Sequence, residues 1–347
     1  MTNGTDLGRI SRALVAPRKG ILAADESSGT IKRRFDLIGV ESTQEKRREY
    51  RELLFRTAGA AEFISGVILY DETIRQNAAD GTPLVEVLSR QGIIPGIKVD
   101  IGAKSLAGAA GELVTEGLDG LRERFAEYKA LGARFSKWRA VVTIGPGIPS
   151  DYCIEVNAHA LARFAALSQE AGIVPIVEPE VLMDGDHAID RCFAVTRVTL
   201  REVFRQLAGQ GVDLEGMLLK PNMVLSGKEA AERAPAAEVA RRTLACFKET
   251  IPATVPGIVF LSGGQSDDEA TTNLDAINRL AVEVGAPWEL SFSYGRGLQA
   301  APQKAWSGRP ENGEIAQRAF YHRAKVTSAA RQGKYSRTME AELAAPG

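Results

Sequence analysis

Residues 133–181 read ARFSKWRAVVTIGPGIPSDYCIEVNAHALARFAALSQEAGIVPIVEPEV. The stretch opens on an apolar run (133–142), breaks at glycine and proline, continues as a helix-length amphipathic stretch (153–172), and returns to a second apolar run (173–181). Strand-length runs separated by a helix imply parallel pairing, and near-continuous apolar strands imply burial on both sheet faces.

The same unit recurs along the chain. Further runs lie at 20–25 (GILAAD), 63–73 (FISGVILYDET), 94–100 (IPGIKVD), 214–223 (LEGMLLKPNM), 257–265 (GIVFLSGGQ) and 288–296 (WELSFSYGR), which makes eight in all. Helical stretches intervene at 48–61, 118–132, 188–211 and 236–250. Eight units within 347 residues predict one closed (β/α)8 TIM barrel spanning 1–347, ordered over about 5–332. The alternative is an open doubly wound sheet, which usually carries GxGxxG after its first strand; ADESSGT stands there instead. Residues 6–16 predict an extra helix able to cover the barrel bottom, and 333–347, lacking an apolar period, a mobile tail. No linker or second domain is visible.

Composition excludes several classes. With 43 basic and 44 acidic residues, net charge −1, there is no global field for nucleic acid or an anionic membrane. The opening MTNGTDLGRISRAL lacks a signal-peptide core and no run is long and apolar enough to span a bilayer, so a soluble, cytoplasmic protein is expected. Three scattered cysteines argue against a disulfide framework or zinc site, and three histidines, two within helical stretches, leave little for histidine chemistry.

In a barrel, chemistry gathers at the carboxyl ends of the strands. The runs place there Asp25, Lys98 with Asp100, Lys137 with Arg139, Glu178 with Glu180, Lys220 and Arg296. Period-two alternation puts each pair on a common face. Charges so embedded among apolar neighbours must pair with one another or neutralise. Lys220 is flanked by Met217, Leu218, Leu219, Pro221 and Met223. A water-poor setting beside a cation such as Lys137 favours a neutral amine, which can attack a ketone; the resulting iminium is an electron sink for breaking or forming an adjacent carbon–carbon bond. Glu178 is the candidate for dehydrating the carbinolamine and Asp25 for the substrate hydroxyl. A snorkelling barrel lysine and a space-filling ion network are the bland readings of the same residues.

Two loops suit phosphate. After the seventh run, Ser262, Gly263 and Gly264 offer backbone N–H groups and a hydroxyl; after the eighth, Ser293, Gly295 and Arg296 add a glycine and a cation. Ser27, Thr30 and Arg34 after the first run, with Lys98, suggest a second anion site.

Taken together, ILAADESSGTIKRR, ILYDETIRQ, GIKVDIG, SKWRAV, IVEPEVL, LLKPNM, FLSGGQS and SFSYGRGLQ resemble the class I fructose-bisphosphate aldolases, in family order over about 5–335. The resemblance implies cleavage of fructose 1,6-bisphosphate to dihydroxyacetone phosphate and glyceraldehyde 3-phosphate without cofactor or metal, by a homo-oligomer, a tetramer by family pattern. It implies that Lys220 forms the Schiff base, Glu178 is the general acid/base, and Asp25 and Lys137 assist, with Arg139 and Glu180 tuning the charges. It also implies that Ser262, Gly263, Gly264, Ser293, Gly295 and Arg296 hold the ketone-side phosphate, and Ser27, Thr30, Arg34 and Lys98 the other. Thr30 stands where the family usually has Ser, and the last tyrosine here is Tyr335. Two other readings are a barrel lyase using carboxylate-bound Mg²⁺ at Asp25, Glu178 and Glu180, and a non-catalytic scaffold.

Overall fold

The structure, a computed structural model, describes residues 3–341, with side chains from Asp6. Ten strands occur among the described residues: β1 (Gly20–Ala24), β2 (Ile64–Leu69), β3 (Ile94–Lys98), β4 (Gly102–Ser105), β5 (Leu113–Glu116), β6 (Phe135–Val142), β7 (Val174–Val181), β8 (Leu218–Leu219), β9 (Gly257–Phe260) and β10 (Glu289–Tyr294). Eight of them close a barrel in the order β1-β10-β9-β8-β7-β6-β3-β2, all pairings parallel. This is the (β/α)8 TIM barrel expected from the repeat. The run-and-helix alternation produces it because each strand, apolar on both faces, needs a helix outside and side chains inside. Trp138 of β6, for example, faces outward and stacks on Phe164 of the helix Asp151–Glu170 at 5.8 Å, leaving Lys137 and Arg139 for the opposite face.

The barrel bottom is closed as its sequence predicts. The helix Asn3–Leu14 presents Leu7, Ile10 and Leu14, at i, i+3 and i+7, to Ile21, Ile68, Phe135, Val174, Ile176, Leu218 and Val259. Ser11 adds a hydroxyl bond of 2.7 Å to the Glu215 carbonyl. Inside the barrel, Phe135 fills the space left by Gly96, where a Cβ would approach its ring to 2.3 Å.

Three features differ from the sequence reading. The sixth run forms only the two-residue β8, because Leu214–Gly216 is a 3-10 turn and Pro221 has no N–H to extend the ladder. β4 and β5 form an antiparallel hairpin outside the barrel that no run announced. Residues 333–341, expected to belong to a mobile tail, are anchored: Tyr335 is buried, its N–H donates to Asp275 Oδ1 at 2.8 Å, its hydroxyl to Asp268 Oδ1 at 3.0 Å, and Glu340 pairs with Arg323. The remainder of that stretch, 342–347, lies outside the described residues. Among the described residues no helix is long and apolar enough to cross a membrane.

Candidate functional site

At the carboxyl end of the barrel, four charged side chains from four strands meet under little solvent. Asp25 follows β1, Lys137 lies on β6, Glu178 on β7, and Lys220 directly follows β8. Lys137 Nζ stands 2.7 Å from Asp25 Oδ2 and 3.2 Å from Glu178 Oε2; the other Glu178 oxygen, Oε1, is 3.3 Å from Lys220 Nζ. Glu178 therefore bridges the two lysines, one oxygen each. All three members of that bridge are at most 4% exposed, so the charges act with little screening.

The electrostatics assign states to two of the four. Burial pushes the Asp25 carboxyl up, but the positive charges of Lys137, Lys220 and Lys98 outweigh it and hold Asp25 well below the usual carboxylate range. Burial alone would drive Lys137 toward the neutral amine; the carboxylates of Asp25, Glu178 and Asp100 reverse this and hold it well above the usual lysine range. In the resting site Asp25 is thus an anion and Lys137 a cation. Among the described residues, Lys220 has a single carboxylate contact, through Glu178. Beyond this cluster, Arg139 Nε donates to Glu180 Oε2 at the mouth, and despite its desolvation the Glu180 charge raises the guanidinium further. Lys98 Nζ binds Asp100 Oδ1 at 2.7 Å and the Asp100 carbonyl at 2.6 Å, while Asp100 Oδ2 accepts the Arg139 N–H at 3.1 Å.

The loops expected to hold phosphate also come together. A Cβ at Gly297 would lie 3.4 Å from Ser262 Cβ, so the loops after β9 and β10 are adjacent. Arg296 crosses between them and donates to the carbonyls of Gly263 at 3.0 Å and Gln265 at 2.8 Å. Gly263 has φ +55, a left-handed conformation that suits glycine. A side chain at Gly264 would crowd Met183 Sδ at 3.3 Å. Ser293 Oγ, at the end of β10, is buried and has no hydrogen-bond partner, an orphan polar group of the kind that calls for an explanation.

Ser27 and Thr30 occupy the start of the helix Ser28–Asp36: Ser27 Oγ accepts the Thr30 N–H at 3.4 Å, and the two hydroxyls are 3.1 Å apart. Ser27 and Lys98 line one open cavity of about 940 Å³ that continues past Tyr70, Asp71 and Arg124. Arg34, on the same helix Ser28–Asp36, pairs with buried Glu26, and its guanidinium is 3.7 Å from where a Gly295 Cβ would be, beside the loop after β10.

The supporting residues were not singled out from sequence. Glu26 receives Arg34 and Gln299 Nε2 (2.7 Å), and Arg51, 1% exposed, donates to the Glu26 carbonyl at 2.7 Å. A charged residue adjoining Asp25 in an apolar run was the available signal for Glu26; Arg51 and Gln299 lie on helices and gave none. Among the described residues, no group of three or more His, Cys, Asp or Glu side chains is arranged to hold a metal ion. The carboxylates considered for Mg²⁺ are engaged by cations instead, Asp25 and Glu178 by Lys137 and Glu180 by Arg139.

Comparison with known proteins adds an independent line. Residues 6–346 match the family described as fructose-bisphosphate aldolase class-I. The chain is 56% identical over 330 residues to the probable fructose-bisphosphate aldolase class 1 of Xanthomonas campestris pv. campestris, covering 95% of this chain and 98% of that protein. It is 53% identical over 319 residues to the cytosolic fructose-bisphosphate aldolase 6 of Arabidopsis thaliana, covering 92% and 88%. Among solved structures, the fructose-bisphosphate aldolase of Plasmodium falciparum, in a ternary complex with TRAP and a small-molecule inhibitor, superposes with a TM-score of 0.94 at 47% identity, with 96% of each chain covered.

Proposed function

The chain belongs to the class I fructose-bisphosphate aldolases, carbon–carbon lyases acting on sugar phosphates, and on that premise we propose that its barrel mouth cleaves fructose 1,6-bisphosphate through a Schiff base on Lys220. The observation that carries this reading is the division of labour around Glu178, whose two oxygens contact one lysine fixed as a cation and one amine with no other carboxylate.

In this reading the Lys220 amine attacks the ketone carbon to give a carbinolamine. Glu178, 3.3 Å from Nζ, takes the amine proton and returns a proton to the departing hydroxyl, so water leaves and the iminium forms. Asp25, held anionic, accepts the proton of the hydroxyl on the carbon beyond the scissile bond. The carbon–carbon bond electrons then flow into the iminium, giving an enamine and free glyceraldehyde 3-phosphate. Protonation of the enamine and hydrolysis release dihydroxyacetone phosphate and regenerate the amine. Lys137 stabilises negative charge passing between Asp25 and Glu178. Arg139 and Glu180 hold each other at the rim and set its charge balance.

Ser262, Gly263, Gly264, Ser293, Gly295 and Arg296 bind the phosphate next to the ketone, Arg296 exchanging its loop carbonyls for phosphate oxygens. Ser27, Thr30, Arg34 and Lys98 bind the distal phosphate. The molecule is a single barrel domain over 1–347, working as a homo-oligomer, a tetramer by family resemblance, in the cytoplasm; the cytosolic and cytoplasmic relatives from Arabidopsis and Spinacia oleracea support that location.

The two anion sites predict a selective loss, measurable in the presence of a chelator. Charge-assisted hydrogen bonds contribute roughly 1.5–3 kcal/mol, so Arg296→Ala should lower kcat/KM by roughly 10- to 100-fold for fructose 1,6-bisphosphate and fructose 1-phosphate alike. Lys98→Ala should penalise the bisphosphate far more than the monophosphate. Equal ratios for the two variants, or loss of wild-type activity in chelator, would contradict the assignment.

A further inference from the structure

The strand that delivers Lys220 is the shortest in the barrel. β8 pairs with β7 only at Ile176 with Leu218 and Val177 with Leu219, and with β9 only at Leu219 with Ile258. The Lys220 N–H makes the last backbone bond to β7, to the Val177 carbonyl at 2.8 Å. On β7, Pro179 has no N–H to give the Lys220 carbonyl, so the ladder toward β7 stops at the residue whose position matters most. On the other side the Pro221 carbonyl still accepts the Leu261 N–H at 3.3 Å. Toward β7, the strand that carries Glu178, the backbone supplies nothing further.

A side chain takes over. Asn222, 3% exposed, accepts the Val181 N–H on Oδ1 at 3.0 Å, one residue beyond Glu180. Its Nδ2 donates to Thr196 Oγ1 on the helix Ile189–Gly209 at 3.1 Å and to the Met223 carbonyl at 3.0 Å. The acceptor and both amide hydrogens are therefore satisfied in a buried setting, where each bond is costly to lose. The geometry requires an amide: a carboxylate in its place would set an acceptor against the Met223 carbonyl and bury an unpaired charge.

We infer that Asn222 is a positioning residue for the reaction: by clamping the end of β7 to the chain just after Lys220, it fixes the distance between the Lys220 amine and Glu178. None of its hydrogen-bond partners belongs to the loops after β9 and β10. The inference rests on Lys220 being the reacting amine. Loss of the clamp loosens the 3.3 Å contact of Glu178 with Nζ and slows the proton transfers that depend on it, while leaving substrate binding to the loops.

The test compares Asn222→Ala with Asn157→Ala. Asn157 is equally buried, at 2%, and also bonds a backbone N–H and two carbonyls, those of Leu113 and Cys153, but it ties β5 to the helix Asp151–Glu170, away from Lys220. Misplacement of reacting groups by about 1 Å costs up to roughly 10²-fold, so Asn222→Ala should lower kcat and the single-turnover rate of borohydride-trapped adduct by about 10- to 100-fold. KM for fructose 1,6-bisphosphate should change less than about threefold, and Asn157→Ala should keep kcat within about twofold. Should Asn222→Ala not fold, Thr196→Val removes one partner of the clamp at nearly constant volume and should lower the trapping rate by about 3- to 10-fold. Trapping rates in these variants equal to that of Asn157→Ala, with the wild-type adduct on Lys220, would overturn the inference alone. A wild-type adduct on another lysine would overturn the Schiff-base assignment and the clamp with it.

Discussion

Replacing Lys220 by arginine should reduce cleavage of fructose 1,6-bisphosphate by roughly 10⁴-fold or more, because a guanidinium stays protonated and cannot attack a ketone. The substitution keeps a cation opposite Glu178 Oε1 and so leaves the carboxylate paired. Far-ultraviolet circular dichroism and binding of a substrate phosphate should therefore remain close to wild type while turnover disappears. No other lysine at the mouth can substitute in this account: Lys137 is fixed as a cation by Asp25 and Glu178, and Lys98 is tied to Asp100. Cleavage by Lys220→Arg well above the uncatalysed rate, measured by coupled release of triose phosphate, would count against Lys220 as nucleophile.

The next largest effect is expected at Glu178. Glu178→Gln keeps the shape and removes the titratable group, so iminium formation should slow by roughly 10²-fold or more. The variant also loses the shared anion of two lysines at most 4% exposed. Lys137 keeps Asp25 at 2.7 Å, but Lys220 loses its carboxylate contact. Breaking a buried pair from one side costs about 3 kcal/mol or more, so the urea midpoint should fall as well. Glu180→Gln, which disturbs a pair with a half-exposed arginine, should lower trapping far less. Wild-type trapping in Glu178→Gln would reduce that residue to a structural role and pass the proton transfers to Asp25 or Glu180.

The barrel was legible because its signals are local. Alternation in SKWRA and EPE set Lys137 with Arg139 and Glu178 with Glu180, and in the structure Trp138 between the first two faces outward onto Phe164. Residues 6–16 showed a helix able to cover the bottom, and in the structure it does so with Leu7, Ile10 and Leu14. What escaped depends on partners distant in sequence or on very little burial. The β4–β5 hairpin has Ala103, Lys104 and Ser105 exposed, so it carries no apolar period. Tyr335 anchors the chain after Gly333 through Asp268 and Asp275, which lie 67 and 60 residues away, and a lone buried tyrosine leaves no pattern. At the site, the charged residues announced themselves by being out of place among apolar neighbours. Their pairing did not: nothing in the order of residues says that Glu178 rather than Glu180 bridges the lysines, that Arg34 answers to Glu26, or that Asn222 ties β7 to the chain after Lys220 where Pro179 has no N–H to donate.

The most direct test of the central claim is chemical. The wild-type protein is incubated with dihydroxyacetone phosphate, reduced with borohydride, digested, and the modified peptide mapped. Reduction makes the iminium irreversible, so the adduct records which amine condensed. The account predicts one stoichiometric adduct, on the peptide containing Lys220, formed at a rate that falls with Glu178→Gln. An adduct on Lys137 or Lys98, or none under conditions of full activity, would contradict it.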